Sequence, residues 1–348
     1  MKIALLAPPY LSIPPKKYGG TERIVSLLAE GLVKKGHEVT LFASGDSQTS
    51  AKLESVFPQA IGNSGISKAD PLMALLHYNH CFEKAQEYDI IHNHGQYLAM
   101  FMADLVNSKV VHTIHGSYYQ EETPESKRLV LNKFRHHKFV SISNNQRQGM
   151  PELNYVGTVY NGLNLNDFTF NPEPKADYLF WTGRIVEKKG PLEAIKVAKK
   201  LEIPLKMAAA IDPVDKPYFE EVIKPEVDGK FINFVGEANK EELNILYGNA
   251  LCTLFPITWH EPFGLVMIES MATGTPVVGY NIGAVAEIIK NGETGFVVNN
   301  LEEMITHLKE IDKIDRKKCR KHVEQNFTSG KMVDGYEAIY KQILERDF

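Results

Sequence analysis

Cysteine is scarce: Cys81, Cys252 and Cys319 are the only three in 348 residues, and no two of them form a C-x-x-C pair. Their spacing excludes a disulfide-stapled scaffold and a cysteine-built zinc module, and it points to a reducing compartment, hence a cytoplasmic protein. No uninterrupted apolar run approaches the roughly 18 residues of a membrane span. The opening MKIALLAPPY holds five apolar residues in a row before two prolines, which reads as a first buried strand and not as a signal peptide. An excess of positive charge is also missing. With 39 Lys and Arg against 43 Asp and Glu the chain carries −4, so nucleic acid is excluded as an expected partner. G-x-G-x-x-G is absent, which counts against a dinucleotide-dependent dehydrogenase, and so is D-x-D, a carboxylate pair that would seat a divalent ion. No internal repeat of 20–50 residues is visible.

What is present is the composition of a globular protein, 43% hydrophobic and 24% charged. The length exceeds one ordinary core, so two domains are expected. Strand and helix patterns alternate twice. Strands are predicted at Ile3–Ala7, Glu38–Ala43, Ile90–Asn93, Val110–Ile114 and Phe139–Ser143, with helices over 21–35, 71–87, 96–107 and 124–136. After a polar, proline-bearing tract at 166–175 a second series begins: strands Tyr178–Thr182, Leu205–Ala209, Phe231–Val235, Ala250–Pro256 and Pro276–Tyr280, helices near 191–200, 216–224 and 240–248, and three closing helices over 301–310, 315–325 and 330–346. Short β-branched runs separated by helices imply parallel, doubly wound sheets. Ligands of such sheets sit at the carboxyl ends of the strands.

The stretch around which the chain is organised is His260-Glu261-Pro262-Phe263-Gly264-Leu265-Val266-Met267-Ile268-Glu269. It is read as an acidic loop followed by a helix whose first turn carries Pro262 and Gly264, where first-turn amides and the helix dipole favour an anion. Glu261 and Glu269, eight positions apart, would lie up to about 12 Å from each other. That suits gripping two ends of a long ligand and is too far for the roughly 5 Å carboxylate pair of a retaining glycoside hydrolase. Tyr18-Gly19-Gly20-Thr21-Glu22-Arg23 supplies a glycine loop at the start of the first helix, with Thr21 as expected N-cap. Thr182-Gly183-Arg184 and Lys188-Lys189-Gly190 place cations after the first strand of the second series, and His115-Gly116 follows another strand end. His92, His94, His112 and His115 do not have the spacing of a four-ligand zinc set, so no metal is expected. The basic clusters 133–138 and 316–322 are read as solvated helix faces, with peripheral membrane contact as the alternative.

Glu261 and Glu269 within EPFGLVMIESMATGTPVV resemble the E-x7-E signature of retaining, GT-B-fold glycosyltransferases of family 4, and Gly183-Arg184 through Lys189-Gly190 resembles that family's pattern of Gly-Arg followed shortly by Lys-Gly. The resemblance implies two Rossmann-like parallel-sheet domains facing a cleft, 1–165 on the acceptor side and 166–328 on the nucleotide-sugar side, with a final helix, 329–348, crossing back to the first. It implies that Arg184 and Lys189 hold the donor pyrophosphate together with the amides at Phe263, Gly264 and Leu265. Glu269 would take the ribose hydroxyls, Glu261 the sugar hydroxyls, and His115 would contact the transferred sugar. Gly19 and Gly20 would lie beside the diphosphate and the acceptor, and Gly236 at the base pocket. Many members carry His-Asp where this chain has His115-Gly116. The expected activity is metal-independent transfer of a hexose, glucose-like, from a nucleoside diphosphate sugar, with uridine diphosphate implied, to a glycan, lipid-linked or small-molecule hydroxyl, and without a cofactor. The acceptor would meet loops 8–18, 44–65 and 116–123. A sugar-nucleotide epimerase on the same fold and a non-catalytic nucleotide-sugar binding protein remain alternatives.

Overall fold

The computed structural model describes residues 1–16, 19–63, 65, 70–174 and 177–345. Tyr18, Lys175, parts of the first two expected acceptor loops and the end of the last predicted helix lie outside the described residues. The chain divides into two compact units, Met1–Gly162 with Ser329–Phe348, and Leu163–Thr328.

Among the described residues unit 1 holds seven strands: β1 (Lys2–Leu6), β2 (Glu38–Phe42), β3 (Lys52–Glu54), β4 (Ile90–Asn93), β5 (Lys109–His112), β6 (Lys138–Ser141) and β7 (Tyr155–Thr158). They form one sheet in the order β3-β2-β1-β4-β5-β6-β7, and each pair is parallel. Unit 2 holds β8 (Leu179–Thr182), β9 (Leu205–Ala208), β10 (Ile232–Gly236), β11 (Cys252–Phe255), β12 (Val277–Tyr280) and β13 (Gly295–Val298). Their order is β10-β9-β8-β11-β12-β13, again all parallel. Central strands of such sheets are covered on both faces, which is why Ile3 to Leu6 and Cys252 to Phe255 are uninterrupted buried runs.

Ten strands were legible and three were not. β3, β7 and β13 are all sheet edges. An edge strand is paired on one side only and need not be apolar, so Lys52-Leu53-Glu54 and the glycine-led Gly295–Val298 carry little strand signal. Two helices also fall short of prediction. The 96–107 pattern yields one short 3-10 turn, Tyr97–Ala99, and a single α-turn, Met100–Ala103. The 216–224 pattern, with Pro217 and Pro225 at its ends, breaks into α (Lys216–Tyr218), π (Phe219–Ile223) and 3-10 (Lys224–Glu226) pieces.

The helix Ser329–Glu345 belongs to unit 1 and packs on the helix Gly20–Lys34. Gly31 makes the approach possible, since a Cβ there would come within 2.4 Å of a Val333 methyl. Glu337 anchors the contact with Lys35 at 2.6 Å, His37 at 3.1 Å and Lys341 at 3.0 Å. These partners, Lys35 foremost, hold its carboxyl at about 2. A carboxyl with a depressed folded pKa stabilises above its unfolded value, near 4.5, and that contribution disappears as pH falls towards 2. Glu337→Gln is therefore expected to lower the urea midpoint at pH 7 and to match the parent at pH 2. An equal gap at both pH values would show that the charge is irrelevant.

Arg316 corrects the reading of 316–322 as a solvated face. Its buried guanidinium donates to the carbonyls of Asn171 at 2.8 Å, Ala250 at 3.0 Å and Gly248 at 2.7 Å, and to the Thr275 hydroxyl at 2.5 Å. Local charge patterning cannot distinguish such a tie from a surface charge, because its acceptors lie 41 to 145 residues away.

Candidate functional site

The loop after β8 is locked against the end of β11. Glu187–Lys189 forms a 3-10 turn closed by Gly190 in the left-handed region, at φ +69°. A Cβ on Gly190 would stand 2.1 Å from the Pro256 carbonyl oxygen, so the chain can pass there only as glycine. The Trp181 indole donates to the Lys189 carbonyl at 3.1 Å, and the Thr258 amide to the Lys188 carbonyl at 3.0 Å. So fixed, Lys189 forms an ion pair with Glu261, whose carboxylate also accepts from the Trp259 indole at 3.1 Å. The Lys188 and Lys189 ammonium groups lie 4.3 and 4.7 Å from the centre of the Trp259 ring. Two of the sequence-predicted residues, seventy-two positions apart, are thus brought into direct contact.

The helix of the signature starts later than predicted, at Leu265, and spans Leu265–Ala272. Pro262 and Phe263 precede it because Gly264, its N-cap, adopts φ +86°, outside the helical region. A Cβ on Gly264 would clash with Met267 at 2.6 Å and touch Glu261 Cγ at 3.4 Å, so this glycine sits directly beside the site carboxylate. Gly283, at φ +62°, lets the loop after β12 approach to where a Cβ would lie 2.3 Å from the Glu261 amide nitrogen; Ala284 N–H donates to the Glu261 carbonyl at 2.9 Å. Glu269, in the second turn, is 3% exposed and accepts from the Tyr247 hydroxyl at 3.0 Å.

Arg184 makes a two-pronged contact with Asp215, one prong of 3.1 Å, and Asp215 is itself buried. The two cations expected to act as a pair therefore each engage a different carboxylate. Gly236 closes β10 at φ +79°, its carbonyl accepting from Ala209 N–H at 2.8 Å. Asp215, Trp259, Tyr247 and Gly283 escaped sequence reasoning. Only Trp259, next to the acidic loop, stood where an extended motif would have included it. A cavity of about 390 Å³ lined by Leu251, Pro276, Ile311 and Arg316 opens at the amino ends of β11 and β12, away from these residues. In parallel α/β sheets ligands bind at the carboxyl ends, where Arg184, Lys189, Glu261 and Gly236 lie.

In unit 1, Gly19 and not Thr21 caps the helix Gly20–Lys34, and Thr21 is already inside it. A side chain at Gly19 would strike Pro15 at 2.7 Å, which explains glycine where a side-chain cap is usual. His115 stands just past β5, partly exposed. Its Nε2 lies 2.9 Å from His94 Nδ1, and burial of the ring holds its pKa below the imidazole range.

Asp104, His136 and His137 bring three ligand-type atoms within 4.8 Å of one another. The hydrogen bonds of the neighbouring rings set which His137 nitrogen carries the proton there. Asn93 is oriented by Gly95 N–H on its Oδ1 at 2.7 Å and by the Gln96 carbonyl on its Nδ2 at 3.1 Å. Nδ2 therefore donates to His112 Nδ1 at 2.9 Å, His112 Nε2 donates to His137 Nδ1 at 3.1 Å, and His137 Nε2–H faces Asp104 at 2.8 Å.

Known proteins resemble both units. The family described as Glycosyl transferases group 1 matches residues 165–326, and Glycosyltransferase Family 4 matches residues 18–167. An uncharacterized glycosyltransferase of Methanocaldococcus jannaschii is 26% identical over 339 residues, covering 86% of this chain and 85% of the relative. A D-inositol 3-phosphate glycosyltransferase of Pseudarthrobacter chlorophenolicus is 25% identical over 336 residues, covering 81% and 78%. Among solved structures, a sucrose-phosphate synthase from Thermosynechococcus elongatus superposes with a TM-score of 0.84 at 20% identity over 99% of this chain and 100% of the other. Anabaena HepE in complex with UDP and glucose gives 0.74 at 18% identity, covering 99% of each chain. At those identities the structures establish the architecture, which is the GT-B fold.

Proposed function

Because the chain belongs to the family 4-like glycosyltransferases of group 1, we propose that it is a retaining, metal-independent enzyme moving a glucose-like hexose from a nucleoside diphosphate sugar, uridine diphosphate foremost, to an acceptor hydroxyl. The observation that carries this reading is the convergence of Lys189, Glu261, Trp259 and Gly264 in unit 2. A fixed cation and a fixed carboxylate in contact offer one group to a phosphate and the other to sugar hydroxyls, with an aromatic face beneath both lysines. A departing diphosphate gains negative charge as its bond to the sugar carbon breaks, and preorganised cations stabilise that charge without reorganisation. Arg184 and Lys189 supply it. The acceptor oxygen bonds to the sugar carbon on the face the diphosphate leaves, and the hydroxyl proton passes to the leaving phosphate oxygen.

Glu269, held by Tyr247, takes the ribose hydroxyls, as carboxylates do in nucleotide sites. His115 keeps the role the resemblance implies, a contact with the transferred sugar. The phosphates approach Lys189 by replacing part of its pairing with Glu261, so apo and donor-bound states differ there.

A panel of nucleotide sugars screened for thermal stabilisation identifies the donor, since a ligand at 100 times its dissociation constant adds about 2.7 kcal/mol. Glu269→Ala is expected to weaken that donor about 10- to 100-fold, the worth of one or two charge-assisted hydrogen bonds. Unchanged affinity for every nucleotide sugar that stabilises the parent removes Glu269 from the site. Turnover that yields a new nucleotide sugar and no free diphosphate would establish an epimerase instead.

A further inference from the structure

We propose that Tyr340, acting through His92 and His94, holds His115 in the tautomer with its proton on Nε2 and a bare Nδ1, which makes Tyr340, on the closing helix, a positioning residue for the histidine that meets the sugar. The importance of His115 rests on the function proposed above; the tautomer does not. His92, His94, Thr113 and Tyr340 are each at most 1% exposed, so a proton among them that lacks a partner inside the protein is costly. The Tyr340 hydroxyl lies 2.6 Å from His92 Nδ1, its sole partner among the described residues. His92 Nε2 lies 2.8 Å from the Thr113 hydroxyl, and His94 Nε2 lies 3.2 Å from His92 Nδ1. His94 Nδ1 and His115 Nε2, 2.9 Å apart, complete the chain.

Burial keeps all three imidazoles below their usual range, so each neutral ring carries one proton. A phenol is a stronger donor and a weaker acceptor than an alkyl hydroxyl. His92, set between one of each, takes the Tyr340 proton in a hydrogen bond at Nδ1 and gives its own Nε2–H to Thr113. Two bare nitrogens cannot face each other at 3.2 Å, so His94 Nε2 must carry a proton, which leaves His94 Nδ1 bare. His115 Nε2 must then donate to it. The remaining His115 nitrogen, Nδ1, has no partner among the described residues, and it presents a lone pair to receive a hydroxyl hydrogen. Each direction leaves one hydroxyl proton without an acceptor among the described residues, that of Thr113 here and that of Tyr340 in the reversed chain, and the phenol, as the stronger donor, loses more when left unpaired.

The test is nitrogen NMR of the full chain labelled with ¹⁵N-histidine, with His115 assigned by the signals lost in His115→Gln. The parent is expected to show His115 protonated at Nε2 and bare at Nδ1. In Tyr340→Phe the reversed chain becomes populated and His115 Nδ1 gains proton character. Tyr336→Phe, which removes a hydroxyl reaching Thr113 only at 3.4 Å, leaves His115 as in the parent. A parent spectrum with the proton on His115 Nδ1 overturns the proposal without any variant, and so does a Tyr340→Phe spectrum identical to the parent. A tautomer that shifts in Tyr340→Phe with no change in transfer rate leaves the relay standing and removes His115 from the sugar contact.

Discussion

Lys189→Ala is expected to lower kcat for sugar transfer about 10²- to 10³-fold, the usual loss on removing one fixed donor aimed at developing negative charge. The expectation has two physical components. The ammonium is held in place before any ligand arrives, by its ion pair with Glu261 and by the aromatic face of Trp259, and the turn that carries it is pinned by Trp181 and Thr258. Its removal also leaves the Glu261 carboxylate with the Trp259 indole, at 3.1 Å, as its remaining donor among the described residues, so sugar orientation suffers together with leaving-group stabilisation. Release of free diphosphate from the donor found by thermal screening measures the rate. The double variant Lys189→Ala with Glu261→Gln separates the two components, because residues in contact are coupled and their losses do not add. Transfer at the parental rate in Lys189→Ala would remove fixed-cation stabilisation from this loop. Added EDTA leaves the parental rate unchanged on the same reasoning, and a requirement for magnesium or manganese would count against it.

Gly190→Ala carries the largest expected loss of stability, about 3–5 kcal/mol. The left-handed backbone at φ +69° contributes about 1–2 kcal/mol. Overlap of the new methyl with the Pro256 carbonyl oxygen, 2.1 Å away, contributes the rest, because the backbone atom it meets cannot rotate aside. Gly236→Ala is the matched control. Its φ is +79° but a Cβ there meets nothing within 4 Å, so the expected loss is only the conformational part, about 1–2 kcal/mol. Urea midpoints of the two variants against the parent make the comparison. Equal losses would mean that the loop after β8 yields and that its contact with β11 is not what holds Lys189.

Helix Leu265–Ala272 shows where a sequence argument stops. The spacing of Glu261 and Glu269 and the helix between them were legible, because both rest on residues within a few turns of each other. The start of that helix was misread, since Pro262 suits a first turn as well as a loop, and only the left-handed Gly264 decides between them. The edge strands β3, β7 and β13 were lost for a related reason: half of their pairing is missing, so the residue pattern that marks a buried strand is weak there. Central strands are legible to within one or two residues of their bounds, and Ile90–Asn93 matches at both ends.

The two alternating series, the parallel sheets, the family and the residue types of the candidate site follow from the sequence alone, because each is written in neighbouring residues through periodicity, breakers and short motifs. Which groups meet is a different matter. Asp215 reaches Arg184 across 31 positions, Glu261 reaches Lys189 across 72, and Tyr340 reaches His92 across 248. No local pattern specifies such pairs, since they exist only once strands have taken their order in the sheet and a closing helix has packed on the first. The tertiary structure therefore decided the partners of Arg184, Lys189 and Arg316 and the hydrogen-bonding surroundings of His92 and His94.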